Sequence, residues 1–162
     1  MQIPEANRVT SNLYEADFYA WTQEQASLLR DRQWGQLDLP NLIEEIESLG
    51  RQERQELRNR LGILIGHLLK WNYQPQRRSR SWFATIRIQR RDITRLLKEN
   101  PSLKPYLDEV LPQAYETAKD LAIGETDLSE STFPAHCPYR LLEILSDRFY
   151  PGEPSELVSS TS

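Results

Sequence analysis

Two glutamates and one histidine are the residues whose types best fit catalytic chemistry in this chain. Glu44 and Glu47 stand three positions apart in the helical stretch Asn41–Trp71, so their carboxylates share one helix face. Helical metalloproteins bind metal ions with inward-facing glutamates and histidines, and His67 is one of only two histidines. A turn near Gly50 would bring the three side chains together. The protein would then be a metal-dependent hydrolase or phosphodiesterase.

The same three residues have a structural explanation, which the sequence favours. In a continuous helix, the 20 residues from Glu47 to His67 span about 30 Å. Carboxylates in the first turns of a helix are stabilised by its dipole, and a histidine inside a bundle commonly bonds to a neighbouring group. The chain also contains no Glu-x-x-His pair. We therefore assign no catalytic residue and no metal ligand, and we expect no cofactor.

A basic segment, residues 70–98, is the second candidate for chemistry. It holds 9 basic and 1 acidic side chains, whereas residues 1–69 hold 7 and 11 and residues 99–162 hold 4 and 12. Arginine binds phosphate or carboxylate groups through paired hydrogen bonds, and aromatic side chains can stack on bases. The segment is thus a candidate surface for nucleic acid or an acidic protein. The candidate anion-binding residues are Arg77, Arg78, Arg80, Arg87, Arg91 and Arg95.

Internal pairing is the alternative role for these cations. The net charge is −4 and the pI is near 5.3, whereas nucleic-acid-binding domains commonly have a pI above 9. The acidic run 44–47 and the acidic last third of the chain offer partners within the fold. The chain has no glycine-rich phosphate loop, nucleophile elbow or zinc signature. Cys137 beside His136 is better explained as an anchor of its loop than as a nucleophile.

Helical periodicity dominates the elements that must position these residues. The nearly all-apolar stretch 57–71 indicates a central helix, which we place at 51–73. No strand-like alternation occurs. We therefore predict an all-α fold, a single-domain bundle of about five helices around this central helix. The apolar seam of that helix is Leu57, Leu61, Leu64, Leu68 and Trp71.

The boundaries of the bundle follow from composition and from helix-breaking residues. We predict a flexible N-terminal arm over 1–11, the bundle over 12–151 and a disordered tail over 152–162. Gly50 is expected to bend or divide the helical stretch around it, because glycine disfavours a helix by about 1 kcal/mol relative to alanine. Pro112 is expected to kink or split the helix that contains it.

Composition also restricts where the protein works. No apolar run reaches the roughly 18 residues of a membrane span, and the N-terminus lacks the features of a signal peptide. The single cysteine excludes an internal disulfide framework and suits a reducing cytoplasm. We expect a soluble cytoplasmic protein without a membrane partner. Its oligomeric state is left open.

Several blocks of the sequence keep the residues and the order of a known family. They include Asp17–Trp21, Leu42–Gly50, His67–Trp71, Asn100–Leu103 and Cys137–Tyr139. These blocks resemble the family catalogued as domain of unknown function 29, over roughly residues 14–151, and the resemblance implies an all-helical fold. The family is abundant in cyanobacteria, so the resemblance implies a bacterial source, and it implies no activity. Our prediction of function is therefore a non-catalytic bacterial binding or interaction module, with the metal-dependent hydrolase as the alternative.

Overall fold

The structure is a computed structural model that describes residues 13–160, and this part of the chain is all-α. It contains no strand, as the sequence predicts, and the all-α class is confirmed. A helical turn covers residues 13–16. None of the helices in residues 13–160 is long and apolar enough to cross a membrane. The helices are α1 Phe18–Arg30, α2 Leu39–Tyr73, α3 Arg80–Glu99, α4 Tyr106–Thr126, α5 Leu141–Leu145 and α6 Glu156–Ser159.

The described part of the chain divides into two compact units with their boundary after residue 52. We call them the N-terminal unit (13–52) and the C-terminal unit (53–160). This division differs from the single bundle predicted over 12–151. Its physical basis is the core, because every buried member of the main apolar cluster lies between Leu57 and Ile144. The predicted arm over 1–11 lies outside the described residues.

The N-terminal unit is held by buried polar contacts more than by an apolar core. The carboxylate of Asp17 caps α1 by accepting from the backbone N–H of Ala20 at 3.0 Å. The Trp21 indole N–H donates to Asp38 at 3.0 Å, and the backbone N–H of Asp38 donates to the side chain of Gln25 at 2.9 Å. The two buried bonds to Asp38 fix the start of α2 against α1, because each donor and acceptor would be costly to bury unpaired.

The C-terminal unit is built around the second part of α2, which confirms the prediction of a central helix. Leu57, Leu61, Leu64 and Leu68 are fully buried there. Helix α4 lies very close to α2 at Gly66. A Cβ atom added at Gly66 would lie 2.9 Å from Leu121 Cδ2 and 3.3 Å from the Ala118 carbonyl oxygen.

Helix α2 runs without interruption from Leu39 to Tyr73, so Gly50 does not divide it. The central helix therefore begins 12 residues before the predicted start at 51. A Cβ atom at Gly50 would meet nothing within 4 Å, so this glycine costs helix propensity but disrupts no packing. Helix α4 likewise continues through Pro112 and is not split there.

Residues 152–160 differ from the predicted disordered tail over 152–162, whose last two residues lie outside the described part of the chain. Residues 156–159 form α6, and the Ser155 hydroxyl caps it by accepting from the backbone N–H of Leu157. Leu157 and Val158 pack against the apolar cluster of the bundle. The local composition is polar, so the ordering comes from contacts with distant residues, which local composition cannot reveal.

Alanine substitutions at two glycines of α2 should separate helix propensity from packing. We expect Gly50→Ala to raise the free energy of unfolding by about 0.5–1 kcal/mol, since alanine is the better helix former. Gly66→Ala should gain less than Gly50→Ala or lose stability, because its methyl group crowds Leu121 and Ala118. Urea unfolding followed by far-UV circular dichroism measures both. An equal gain at the two positions would contradict the close approach of α4 to α2.

Candidate anion-binding groove

Helix α3 positions most of the basic segment. Ser79 caps it by accepting from the backbone N–H of Trp82 at 3.2 Å. From this start, the helical repeat turns Arg90 into the core, where its side chain is 1% exposed. Arg87 and Arg91 lie on the solvent side and are exposed. The arginines of one helix therefore have two different roles.

Arg90 acts as a structural cation. Its Nε donates to the Ile144 carbonyl at 2.8 Å, and its Nη2 donates to the Phe149 carbonyl at 2.6 Å. Its guanidinium also lies over the Tyr150 ring, 5.1 Å from the centroid. Burial lowers the pKa of Arg90, yet a guanidinium keeps its charge at neutral pH. Arg90 thus ties the segment after α5 to α3.

Arg78 and Lys70 are also occupied inside the fold. Arg78 donates to the carbonyls of Trp71, Glu153 and Pro151, at 2.8, 2.7 and 3.2 Å. Lys70 is buried, pairs with Glu125 and lies over the Trp82 ring. Arg78 is a predicted anion-binding residue, and its donors already have protein acceptors.

Asp92 neutralises part of the remaining charge. Its Oδ2 atom lies 3.2 Å from Arg60 Nη1, and its Oδ1 atom lies 3.5 Å from both Arg91 Nε and Arg95 Nη2. Asp92 is only 13% exposed, whereas the Arg91 side chain is 72% exposed. Three cations share one carboxylate, so this cluster keeps an excess of positive charge.

Three of the predicted arginines have no acidic partner within residues 13–160. They are Arg77, Arg80 and Arg87, and all three are exposed. Arg87 contacts the ring of Phe83, with its Cζ atom 5.6 Å from the centroid. The basic segment is therefore partly paired and partly free. Internal pairing accounts for Lys70, Arg78 and Arg90 and does not account for these three.

Arg87 and Arg91 border a groove of about 760 Å³ on the surface of the C-terminal unit, which we call the basic groove. Arg148 joins them from the segment after α5, and Asp147 is the one carboxylate in the lining, so the lining carries a net charge of +2. The full lining is Phe83, Ala84, Arg87, Ile88, Arg91, Asp147, Arg148, Tyr150 and Val158.

Aromatic packing holds the floor of the basic groove. The rings of Phe83 and Tyr150 lie 5.4 Å apart, and both contact the buried ring of Trp71. Burial raises the pKa of Tyr150, so its phenol is neutral at physiological pH. Ile88 is 41% exposed in the same lining. The groove therefore combines an apolar floor with guanidinium groups at its rim.

Sequence reasoning missed the four residues of the basic groove that lie outside the segment 70–98: Asp147, Arg148, Tyr150 and Val158. Arg148 lies about 60 residues beyond Arg87, and Val158 falls in the predicted tail. The sequence carries one weak signal, since Arg148 is one of only four basic residues in the acidic last third. The long-range contact through Arg90 that brings this segment to α3 has no local signature.

Each of the three residues of the hypothetical metal site has a partner within its own helix. Glu44 and Glu47 pair with Arg51 of the same helix, at 2.6 and 3.9 Å. The ring of His67 donates through Nδ1 to the Ile63 carbonyl at 2.9 Å, because a carbonyl can only accept. Helix α2 has no turn at Gly50. Within residues 13–160, no group of three His, Cys, Asp or Glu side chains is placed to bind a metal ion.

The thiol of Cys137 is engaged in its loop. It donates to the Tyr139 carbonyl with a sulfur–oxygen distance of 3.4 Å. Burial raises the pKa of the thiol, which disfavours the thiolate that a nucleophile needs. This environment agrees with a role as a loop anchor.

Comparison with known proteins gives a family and no activity. The model of one family, described as Domain of unknown function DUF29, matches residues 13–150. This match confirms the resemblance found in the sequence. The comparisons with curated proteins and with solved structures gave no match.

Substituting Arg90 should reveal its structural role. We expect Arg90→Met to lower the free energy of unfolding by about 2–4 kcal/mol, because two buried carbonyl groups lose their donors. Arg87→Met is the matched control on the exposed side, and it should change stability by no more than about 0.5 kcal/mol. Urea unfolding of both variants tests this, and equal effects would contradict the separation into structural and exposed arginines.

His67 should make stability depend on pH. Burial lowers its pKa below the ordinary value near 6.5, so the unfolded chain binds this proton more tightly than the folded chain. The contribution of neutral His67 to the free energy of unfolding is therefore fully present above about pH 6.5 and is lost as the pH falls below this value. In His67→Gln, the loss of unfolding free energy between about pH 7.5 and 5.5 should be smaller. Urea unfolding of both proteins at several pH values measures this, and an unchanged loss in His67→Gln would contradict the role of His67.

Proposed function

The chain belongs to the DUF29 family, and we propose that it is a non-catalytic binding module that holds an anionic partner in the basic groove. One observation carries the proposal: exposed guanidinium groups of Arg87, Arg91 and Arg148 border an apolar floor. Arginine exposed without an acidic partner is available for carboxylate or phosphate groups. Arg87 has no acidic partner within residues 13–160, and Arg91 shares Asp92 with two other arginines.

The floor of the groove favours an acidic protein segment over nucleic acid. Ala84, Ile88 and Val158 offer aliphatic surface, which suits the apolar side chains of an amphipathic peptide. Asp147 places a carboxylate in the lining, which would repel a continuous phosphate backbone. The protein has a net charge of −4, so it also lacks the long-range attraction for phosphate groups that is typical of nucleic-acid-binding domains.

Binding would combine modest ion pairs with apolar burial. Arg87 and Arg91 are four residues apart on α3, so their guanidinium groups lie on one face of the helix. Both groups are then within reach of two carboxylates of one peptide. Exposed ion pairs contribute about 0.2–1 kcal/mol each, and most of the affinity must therefore come from the floor. We expect a dissociation constant on the order of micromolar, weakened by salt.

We further propose that this interaction takes place in the cytoplasm of a bacterium. The single cysteine suits a reducing compartment, and the resemblance to the family supports a bacterial source.

Fluorescence anisotropy with a labelled peptide tests the proposal. The probe is a peptide of about 20 residues in which Leu and Glu alternate at helical spacing, and the comparison peptide carries Gln in place of Glu. We expect the Glu peptide to bind at least about tenfold more tightly. The double variant Arg87→Glu/Arg148→Glu should bind the Glu peptide at least about tenfold more weakly than the unsubstituted protein does, since two attractive charges become repulsive.

A matched control has the same change of charge outside the groove. Arg77 and Arg80 are exposed and do not line the groove, so Arg77→Glu/Arg80→Glu should change the affinity by less than about threefold. Equal effects of the two double variants would contradict the basic groove as the site. Tighter binding of a labelled single-stranded or duplex DNA than of the Glu peptide would contradict the acidic protein segment as its ligand.

A further inference from the structure

Exposed apolar side chains are concentrated in the N-terminal unit. Within residues 13–160, ten large apolar side chains are exposed, and eight of them lie in residues 13–52. The same unit buries only two apolar side chains, Trp21 and Leu37. The eight exposed residues are Phe18, Tyr19, Leu29, Trp34, Leu39, Ile43, Ile46 and Leu49, with exposures between 43% and 73%.

Four of these residues form a stripe along the first part of α2. Leu39, Ile43, Ile46 and Leu49 follow one another at intervals of four, three and three, so they share one face of the helix. We call them the apolar stripe. Other faces of α2 meet the preceding segment, as in the bond from the Tyr14 hydroxyl to Glu45 at 2.5 Å. Nothing within residues 13–160 covers the stripe, although its spacing is that of a helix-packing seam.

The exposed apolar area of the stripe matches the apolar share of a stable interface. The exposed fractions of its four side chains add up to about 2.4 fully exposed side chains. At somewhat under 200 Å² for each large apolar side chain, this corresponds to roughly 400 Å². A standard protein–protein interface buries about 800 Å² on each partner, of which roughly half is apolar. A contiguous exposed apolar surface of a few hundred Å² marks an interaction site.

We infer that a second copy of this chain covers the apolar stripe. Two copies related by a twofold axis can place their stripes face to face, because such an interface uses the same patch on both partners. Each copy would contribute α1 and the first part of α2, and the four helices would bury the side chains that one copy leaves exposed. This arrangement gives the N-terminal unit the core it lacks, as in obligate dimers whose interface resembles a domain core cut in half.

The charge of the N-terminal unit sets the salt dependence of this dimer. Residues 13–52 contain 8 acidic and 3 basic side chains, which gives a net charge of −5. Two such units repel each other while their apolar faces attract. Added salt screens the repulsion, so the dimer should become tighter between about 50 and 500 mM salt. A partner held by opposite charges would show the reverse dependence.

Sedimentation equilibrium of the full chain at about 1–100 µM tests the inference. We expect a dimer that dissociates at least about tenfold more readily in Ile43→Gln/Ile46→Gln. Leu142→Gln is the matched control, because Leu142 is 84% exposed in the C-terminal unit, and it should leave dissociation unchanged within about twofold. Circular dichroism should show that all three proteins keep their helical content.

Cross-linking locates the contact. Cys137 is the only cysteine, so Cys137→Ser gives a background without thiols. In that background, single cysteines placed at Leu39, Ile43, Ile46 and Leu49 should give an oxidised dimer at one position or more, and Leu142→Cys should give none. A chain that stays monomeric at about 100 µM would overturn the inference, and so would a dimer that the double glutamine variant leaves intact. A dimer weakened by salt would also overturn it.

The result is separate from the basic groove. Arg87→Glu/Arg148→Glu should remain dimeric, so a failure of peptide binding and a failure of dimerisation are distinguishable.

Discussion

One buried guanidinium, that of Arg90, is the contact on which the arrangement of the C-terminal unit depends. It donates to the carbonyl of Ile144 in α5 and to the carbonyl of Phe149 in the segment after α5. A buried arginine is stable only where acceptors are fixed around it, because its desolvation is costly. The bonds to those two carbonyls hold α5 and the segment after it against α3. The adjacent Tyr150 is thereby placed beside Phe83 in the floor of the basic groove. Arg90 therefore supports this floor, although its guanidinium does not line the groove.

The arginines of this protein show how one residue type divides between structure and recognition. Arg90 and Arg78 donate to backbone carbonyls, so their hydrogen bonds hold chain segments together instead of binding a ligand. Arg87 and Arg148 are exposed at the rim of a groove. The difference does not come from the guanidinium, which is the same in each case. It comes from whether the helical repeat and the adjacent loops surround the group with acceptors or leave it in solvent.

The sequence could predict the elements because their signals are local. The apolar repeat over 57–71 predicts the central helix, and the same periodicity places Arg90 on the inner face of α3. Gly50 and Pro112 do not interrupt their helices, because the favourable helical residues on both sides outweigh a single unfavourable residue.

The basic groove could be predicted only in part. A charge count over 70–98 identifies the cations, but the partners that occupy them lie far away in the chain, as in the pair of Arg60 and Asp92. Arg148 and Val158 reach the groove through tertiary contacts that no local pattern encodes. The boundary between the two units has no local signal, because the helical pattern of α2 continues across it.

The shortage of buried apolar side chains in residues 13–52 also bears on how the polypeptide matures. A ribosome releases the N-terminal unit first, when it carries two buried apolar contacts, Trp21 and Leu37, and a row of uncovered ones. Domains usually fold in the order of their synthesis. Here we expect the later 53–160 region to reach its native state earlier, because it holds the apolar core. The N-terminal unit of the nascent chain would therefore depend on chaperones for longer than the C-terminal unit, although it is made earlier.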